Sequence, residues 1–426
     1  MIVTILFGTF FLALVIGTPI MAALAISSIF SIIGKGDIPL LIIPQRLFGG
    51  VDSFPITAVP FFMLAGELMN KGGITRRIVD AADALVGYFH GGLGMVNVVA
   101  NMVMGGISGS SVADASAVGT ILIPEMKKKG YDSEYPAAIT LAASTIGILI
   151  PPSIPMVIYG VTVGVSIGAL LLAGAIPGIL VGIFQIGITA WIAKRRGYPR
   201  GELPSLKRIL RSLLDNSIAL IMPLVILGSI ISGVVTPTEA AALAVLYSLF
   251  VGFFIFRELH IKDLPNVFLT TGLSTGVVLI IVSAASAFSW ILASEQIPQM
   301  VASFLMSLNL GPTVILLLVN LFLLFVGCFL DITPAIIVLA PILYPVVSRL
   351  GVDPVQFGAI MVVNLGIGLC TPPVGNCLYV VSHISGLSIT RLFKVSIPYL
   401  SANLATLILV TYVPWFSTYL PRLLMR

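Results

Sequence analysis

The chain is 426 residues long, 58% hydrophobic and 9% charged, with a net charge of +5 and a mean hydropathy of +1.13. Apolar runs near the ~20 residues needed to cross a bilayer recur along its whole length, which excludes a soluble domain and puts the function in or beside a membrane. Cys328, Cys370 and Cys377 are too few and too scattered for a disulfide framework or a CxxC metal site.

The N-terminal run lacks the basic flank of a signal peptide and is read as mature structure. In chain order the first half is expected to form helices over 2–17, 19–33, 55–70, 74–88, 92–127, 133–163 and 167–195. A basic linker, "KRRGYPRGELPSLKRILR", follows. The second half is expected to form helices over 215–233, 237–257, 265–293, 296–309, 311–348, 354–384 and 395–420. Two of the long segments in each half carry breakers at their centres. The sequences are "GGISGSS" (105–111), "GILIPPSIP" (147–155), "CFLDITP" (328–334) and "GLCTPPVGN" (368–376). A proline inside a helix removes a hydrogen bond at a cost of about 3 kcal/mol, and in lipid no water restores it.

The halves are related. Laying residues 106–152 over 327–373 without a gap matches 12 of 47 positions, among them Gly106 with Gly327, Gly130 with Gly351, Asp132 with Asp353, Gly147 with Gly368, and Pro151-Pro152 with Pro372-Pro373. Domain limits follow: a first repeat over 1–196, a linker over 197–211 and a second repeat over 212–426. If 92–127 and 311–348 fold back as re-entrant hairpins beside broken helices 133–163 and 354–384, each half crosses five times and the second is inverted. Placing Met1 outside then puts 17 of the 22 Lys and Arg inside and leaves Lys35, Arg46, Arg349, Arg422 and Arg426 outside, with both termini outside. The expected fold class is an all-α polytopic membrane protein of two inverted repeats. That plan belongs to secondary transporters, whose half-helix ends and unwound carbonyls hold substrate and ions.

Physical chemistry suggests where. A dehydrated Na⁺ needs about five or six hard oxygens, and carbonyls freed at helix breaks supply them. A first sodium site is expected from Ser108, Ser110 and Ser111 at the first hairpin tip, opposite Gly147 and Ile148. By the repeat, Gly327, Asp331 and Thr333 face Gly368, Cys370 and Thr371 in a second. An ionisable group as deep as Asp331 is a functional candidate, although aspartate before "ITPAII" is also a good helix cap. Ser108, Ser110, Ser153, Thr371 and Asn376 are candidate substrate ligands. Pro151, Pro152, Pro372 and Pro373 hold the breaks open. Glu239 completes a capping box begun by Thr236. No Lys or Arg lies in the four breaks, so hydroxyls, helix N-termini and bound Na⁺ are left to hold an anion.

"GGISGSSVADASAVG" (105–119), "IPPSIPMVIYG" (150–160) and "CTPPVGNCLYV" (370–380) together resemble the large membrane subunit, the DctM-like or M subunit, of tripartite ATP-independent periplasmic (TRAP) transporters. The resemblance covers nearly the whole chain. It implies a sodium-driven symporter of the bacterial inner membrane with an elevator mechanism, in which hairpins and broken helices form a transport domain and the remaining helices a scaffold. It implies at least two Na⁺, a small four-helix membrane subunit, expected as a separate chain, and a periplasmic substrate-binding protein. It further implies a small carboxylate substrate such as a C4-dicarboxylate or sialic acid. Asp114 lies in the matching motif, on the exit arm of the hairpin, where bonding to Asn97 or Asn101 would account for it. A binding-protein-independent sodium/dicarboxylate carrier is the alternative. A rhomboid-like intramembrane serine protease built on Ser108 is a remote one, since His90, His260 and His383 are all expected near the cytoplasmic side. No P-loop or HExxH motif is present.

Overall fold

The computed structural model describes residues 2–201, 205–308 and 310–425. Met1, residues 202–204 of the linker, the side chains of Leu206 and Arg208, Asn309 and Arg426 lie outside the described residues. The described chain is helical from end to end, with α1 (Ile2–Val15), α2 (Ile20–Lys35), α3 (Ile42–Val51), α4 (Ala58–Lys71), α5 (Ile74–Val86), α6 (Gly92–Ser108), α7 (Ser111–Lys128) and α8 (Glu134–Ala143). There follow α9 (Ile154–Val163), α10 (Ile167–Arg196), α11 (Leu206–Asp215), α12 (Ser217–Ile231), α13 (Pro237–Phe250), α14 (Leu264–Ser294) and α15 (Ile297–Ser307). The chain closes with α16 (Pro312–Gly327), α17 (Ile332–Arg349), α18 (Pro354–Gly368), α19 (Asn376–Ser385), α20 (Ile389–Tyr412) and α21 (Trp415–Leu424). Among the described residues five helices are long and apolar enough to cross a membrane, and seven if two pairs bent by 56° and 64° each count as one span.

Several expectations need correcting. The connector after α2 carries α3, and the pair formed by α3 and the segment Phe54–Lys71 bends by 56°. The linker is helical over α11, so the boundary expected at residues 211 and 212 falls inside a helix. The last helix, expected over 395–420, starts at Ile389 and ends at Tyr412, because Pro414 lacks the N–H that would continue it and restricts Val413 to extended backbone. Other ends follow from local chemistry. Thr236 and Glu239 form the expected capping box, with the Glu239 N–H donating to the Thr236 hydroxyl at 3.3 Å and the Thr236 N–H to the Glu239 carboxylate at 2.7 Å.

The run α6 to α10 has the same order of lengths as α16 to α20. Arms of 17 and 18 residues correspond to arms of 16 and 18, and the short helices α9 and α19 both have 10 residues. The two runs interlock: α7 packs on α19, while α17 packs on α9. Each exit arm therefore rests on the far half of the other run's interrupted helix. Buried amides join the parts, as expected where no water is at hand. Gln185 of α10 donates to the Ala142 carbonyl at 2.9 Å and to Asn403 of α20 at 2.7 Å, and Asn403 donates to the Thr145 hydroxyl at 2.7 Å. In the second run Asn364 donates to Asn320 at 2.9 Å, and Asn320 donates to Thr411 at 3.0 Å. The helices α2, α3, α4, α13 and α14 form a second group, tied by Lys35–Glu295 at 2.6 Å and by Arg46 stacked 5.2 Å from the Trp290 ring.

A polar cluster closes one end of the first run. In the turn before α8, Asp132 accepts from the N–H groups of Glu134 and Tyr135 at 2.9 and 2.8 Å, from Arg196 at 2.6 Å, and from the Tyr198 hydroxyl. Partial burial alone would raise the Asp132 carboxyl, but the Tyr198 hydroxyl, the Tyr135 N–H and the Arg196 guanidinium together hold it below the usual carboxylate range. A depressed folded-state value stabilises above the unfolded value near 4, and that contribution is lost as pH falls through the folded value. Asp132→Asn is therefore expected to lower the melting temperature of the detergent-solubilised chain at pH 7 and to flatten its decline below pH 4, read by intrinsic fluorescence.

Candidate functional site

The first hairpin turns at Gly109, whose φ of +62° is a left-handed conformation that suits glycine. The turn curls the chain so that residues six apart meet: the Ser108 hydroxyl donates to Oδ1 of Asp114 at 2.5 Å. Asp114 is fully buried, and its other oxygen, Oδ2, has no hydrogen-bond partner. The hydroxyl of Ser111, also buried, has none either. Ser110 caps α7 by accepting from the Ala113 N–H at 3.4 Å, and its own N–H donates to the Ser108 hydroxyl at 3.2 Å. Asn97 donates to the Thr140 hydroxyl at 2.7 Å and Asn101 to the backbone and side-chain carbonyls of Asn97 at 2.8 and 2.9 Å, and neither bonds Asp114. This corrects the expectation for Asp114, which belongs to the hairpin tip.

The first broken helix closes over this tip. Gly147 lies so near that a Cβ there would run into the Asp114 carboxylate, and a Cβ on Gly105 would stand 2.8 Å from the Gly147 Cα. The Ile154 N–H donates to the Gly109 carbonyl at 3.3 Å, sewing break to tip. Two expected roles shift. The Ile148 carbonyl is not free: it accepts the Ser153 hydroxyl at 2.6 Å. Ser153, wholly buried, also accepts from the Met156 N–H at 3.3 Å, so its hydroxyl serves as the cap of α9. The Pro151–Pro152 and Pro372–Pro373 peptide bonds are both cis.

The second hairpin meets the second break in a similar way. The Val374 N–H donates to the Cys328 carbonyl at 3.1 Å, and a Cβ on Gly368 would stand 2.5 Å from the Gly327 carbonyl. Asp331 heads α17 with extended backbone, and its carboxylate faces the Ile332 N–H and the side chain of Asn376, first residue of α19. Thr333 is buried beside it. The side chains of Cys370 and Thr371 turn away to backbone acceptors, the thiol to the Leu141 carbonyl at 3.2 Å and the hydroxyl to Ile367 at 2.8 Å.

Four helices, α7, α9, α17 and α19, begin at the tips and breaks, and each is at least ten residues long. Their N-terminal N–H groups favour negative charge. Around them stand hydroxyls, carbonyls and two carboxylates, a donor set suited to hard cations. Among the described residues no three His, Cys, Asp or Glu side chains come together.

A family model described as the tripartite ATP-independent periplasmic transporter, DctM component, matches residues 7–416. The chain is 41% identical over 379 residues to the sialic acid TRAP transporter large permease protein SiaM of Vibrio cholerae, covering 89% of each chain. It is 37% identical over 435 residues to the C4-dicarboxylate TRAP transporter large permease protein DctM of Rhodobacter capsulatus, covering 99% of each. Among solved structures, the YdaH transporter of Alcanivorax borkumensis superposes with a TM-score of 0.65 at 16% identity over 90% of each chain, a likeness of fold alone.

Proposed function

Because the chain belongs to the DctM component family of tripartite ATP-independent periplasmic transporters, we propose that it is the sodium-coupled, substrate-translocating subunit of such a system. In this reading it imports a small organic acid across the bacterial inner membrane, with both termini periplasmic. A periplasmic binding protein delivers the acid and a small four-helix membrane subunit supports the scaffold. The substrates for which these relatives are named, sialic acid and C4-dicarboxylates, are both carboxylates. With the two at 41% and 37% identity, likeness alone does not choose between them.

The observation that carries the proposal is the pair of buried, unpartnered oxygens at the first tip, Asp114 Oδ2 and Ser111 Oγ. Leaving a buried polar group without a partner costs about 1–3 kcal/mol, and more for a charged one, so such a pair calls for a cation. Na⁺ taken up there as co-substrate would draw further oxygens from Ser108, Ser110 and the backbone at Gly147. The second site is proposed at Asp331, with Thr333 and the backbone of Gly327, Gly368, Cys370 and Thr371. Asn376 is left to meet the substrate as well as Asp331. With no Lys or Arg in the breaks, a substrate carboxylate rests on the helix N-termini and on the bound Na⁺, so each raises the affinity for the other. The interlocked hairpins and broken helices would then move as one body against the group around α2, α4, α13 and α14, in an elevator motion of inverted repeats.

Uptake by proteoliposomes holding this chain and its small subunit tests the whole. Import is expected only with both a Na⁺ gradient and a loaded binding protein; import without the binding protein would establish the simpler carrier instead. Asp331→Ala in the same assay is expected to abolish Na⁺-dependent uptake while the purified chain stays monodisperse. Near-normal uptake with unchanged Na⁺ dependence would reduce Asp331 to a helix cap.

A further inference from the structure

The segment between the two related runs offers a surface that sodium coupling does not use. α11 packs on α5; its Ile209, Ser212 and Leu213 are half-buried, and the Ser212 hydroxyl donates to the Asp80 carbonyl at 3.4 Å. Its opposite stripe is free. Along it run Lys207, Leu210, Arg211 and Leu214, at the i, i+3, i+4, i+7 spacing of one helix face. Leu210 is 52% exposed and Leu214 72%. Arg211 is 80% exposed, and its ion pair among the described residues is a long one, 4.0 Å, to Asp215, itself 70% exposed.

Orientation says what this stripe meets. α11 turns by 64° into α12, and α12 is an apolar helix without a charged residue. A helix so inclined to a membrane-directed neighbour lies closer to the membrane plane than to its normal. At the end of the preceding α10, Trp191 is 59% exposed with the Arg195 guanidinium 5.6 Å from its ring, and Lys194 and Arg196 flank it. Tryptophan beside basic residues marks the headgroup level. Leucines alternating with cations on one face match the two parts of a lipid at that level, its glycerol and upper acyl carbons and its phosphate.

We propose that the exposed stripe of α11 binds anionic phospholipid headgroups in the leaflet it faces. Lys207 and Arg211 take the phosphates while Leu210 and Leu214 sink to the acyl boundary. Arg211 exchanges its weak pairing with Asp215 for a phosphate. The proposal depends neither on sodium coupling nor on the substrate, and its test reads no transport.

Hydrogen exchange of the full chain in lipid nanodiscs is that test. In discs of phosphatidylglycerol and phosphatidylcholine, the amides of 206–215 are expected to exchange up to about thirtyfold more slowly than in pure phosphatidylcholine, the effect of two basic contacts at a membrane surface. In Lys207→Gln/Arg211→Gln, two changes at exposed positions, this lipid dependence should vanish while α5 and α12 exchange as before. Equal exchange in the two lipid compositions overturns the proposal. So does a lipid dependence that survives in the double variant, since the anionic lipid would then act elsewhere.

Discussion

Asp114→Asn is expected to leave the chain folded and to remove its response to sodium. Asparagine keeps the shape of aspartate, and its Oδ1 still accepts the Ser108 hydroxyl now held at 2.5 Å. What disappears is the carboxylate oxygen that has no partner, and with it the negative charge that a bound Na⁺ would pair with. Removing one member of a buried ion pair costs about 3–5 kcal/mol, a factor of more than a hundred in affinity for the other. The effect can be read without substrate or partner. A ligand that binds only the folded state at a hundred times its Kd adds about 2.7 kcal/mol of stability. The wild-type chain in detergent should therefore melt higher in NaCl than in choline chloride at equal ionic strength, and the variant should melt at one temperature in both. If Asp114→Asn keeps the full sodium-dependent rise, the carboxylate is a hairpin brace and the cation site lies elsewhere.

Much of this architecture was readable because it rests on residues with backbone meaning. The Pro pairs, Gly109 and Gly147 mark places where regular helix ends, and all of them but Gly109, whose counterpart is Leu330, survive translation by 221 residues along the chain. Side-chain partnerships were less legible. A place on the exit arm of the hairpin offers Asn97 or Asn101 to Asp114, whereas the left-handed turn at Gly109 brings Ser108 to it. Aspartate in the first turn of a helix capped by Ser110 was the available signal. The repeat also slips locally. The ungapped comparison pairs Gly106 with Gly327, yet Gly105 is the residue that packs on Gly147, while Gly106 faces Pro223 of α12. A fixed register has no means to show a one-residue offset inside a helix. Helix α11 was hidden by its charge: the leucine spacing is present, but the Lys and Arg between them made the segment read as a linker.

Two glycine substitutions separate packing from cation binding. In Gly368→Ala the new methyl would stand 2.5 Å from the Gly327 carbonyl, and neither partner is a side chain that can swing aside. Hairpin and break must part, and overpacking of this kind costs about 1–3 kcal/mol. The melting temperature should fall in every salt. In Gly147→Ala the methyl meets the Asp114 carboxylate instead, which can rotate away and give up its bond from Ser108. That variant should melt lower in choline chloride by about the 1–3 kcal/mol of the bond Asp114 gives up, and in addition lose most of the sodium-dependent rise. The contrast follows from what each glycine touches, backbone in one case and the proposed ligand in the other. If Gly147→Ala and Gly368→Ala lose stability equally and both retain the sodium response, the contact between Gly147 and Asp114 is packing alone, and the first cation site must be sought away from the hairpin tip.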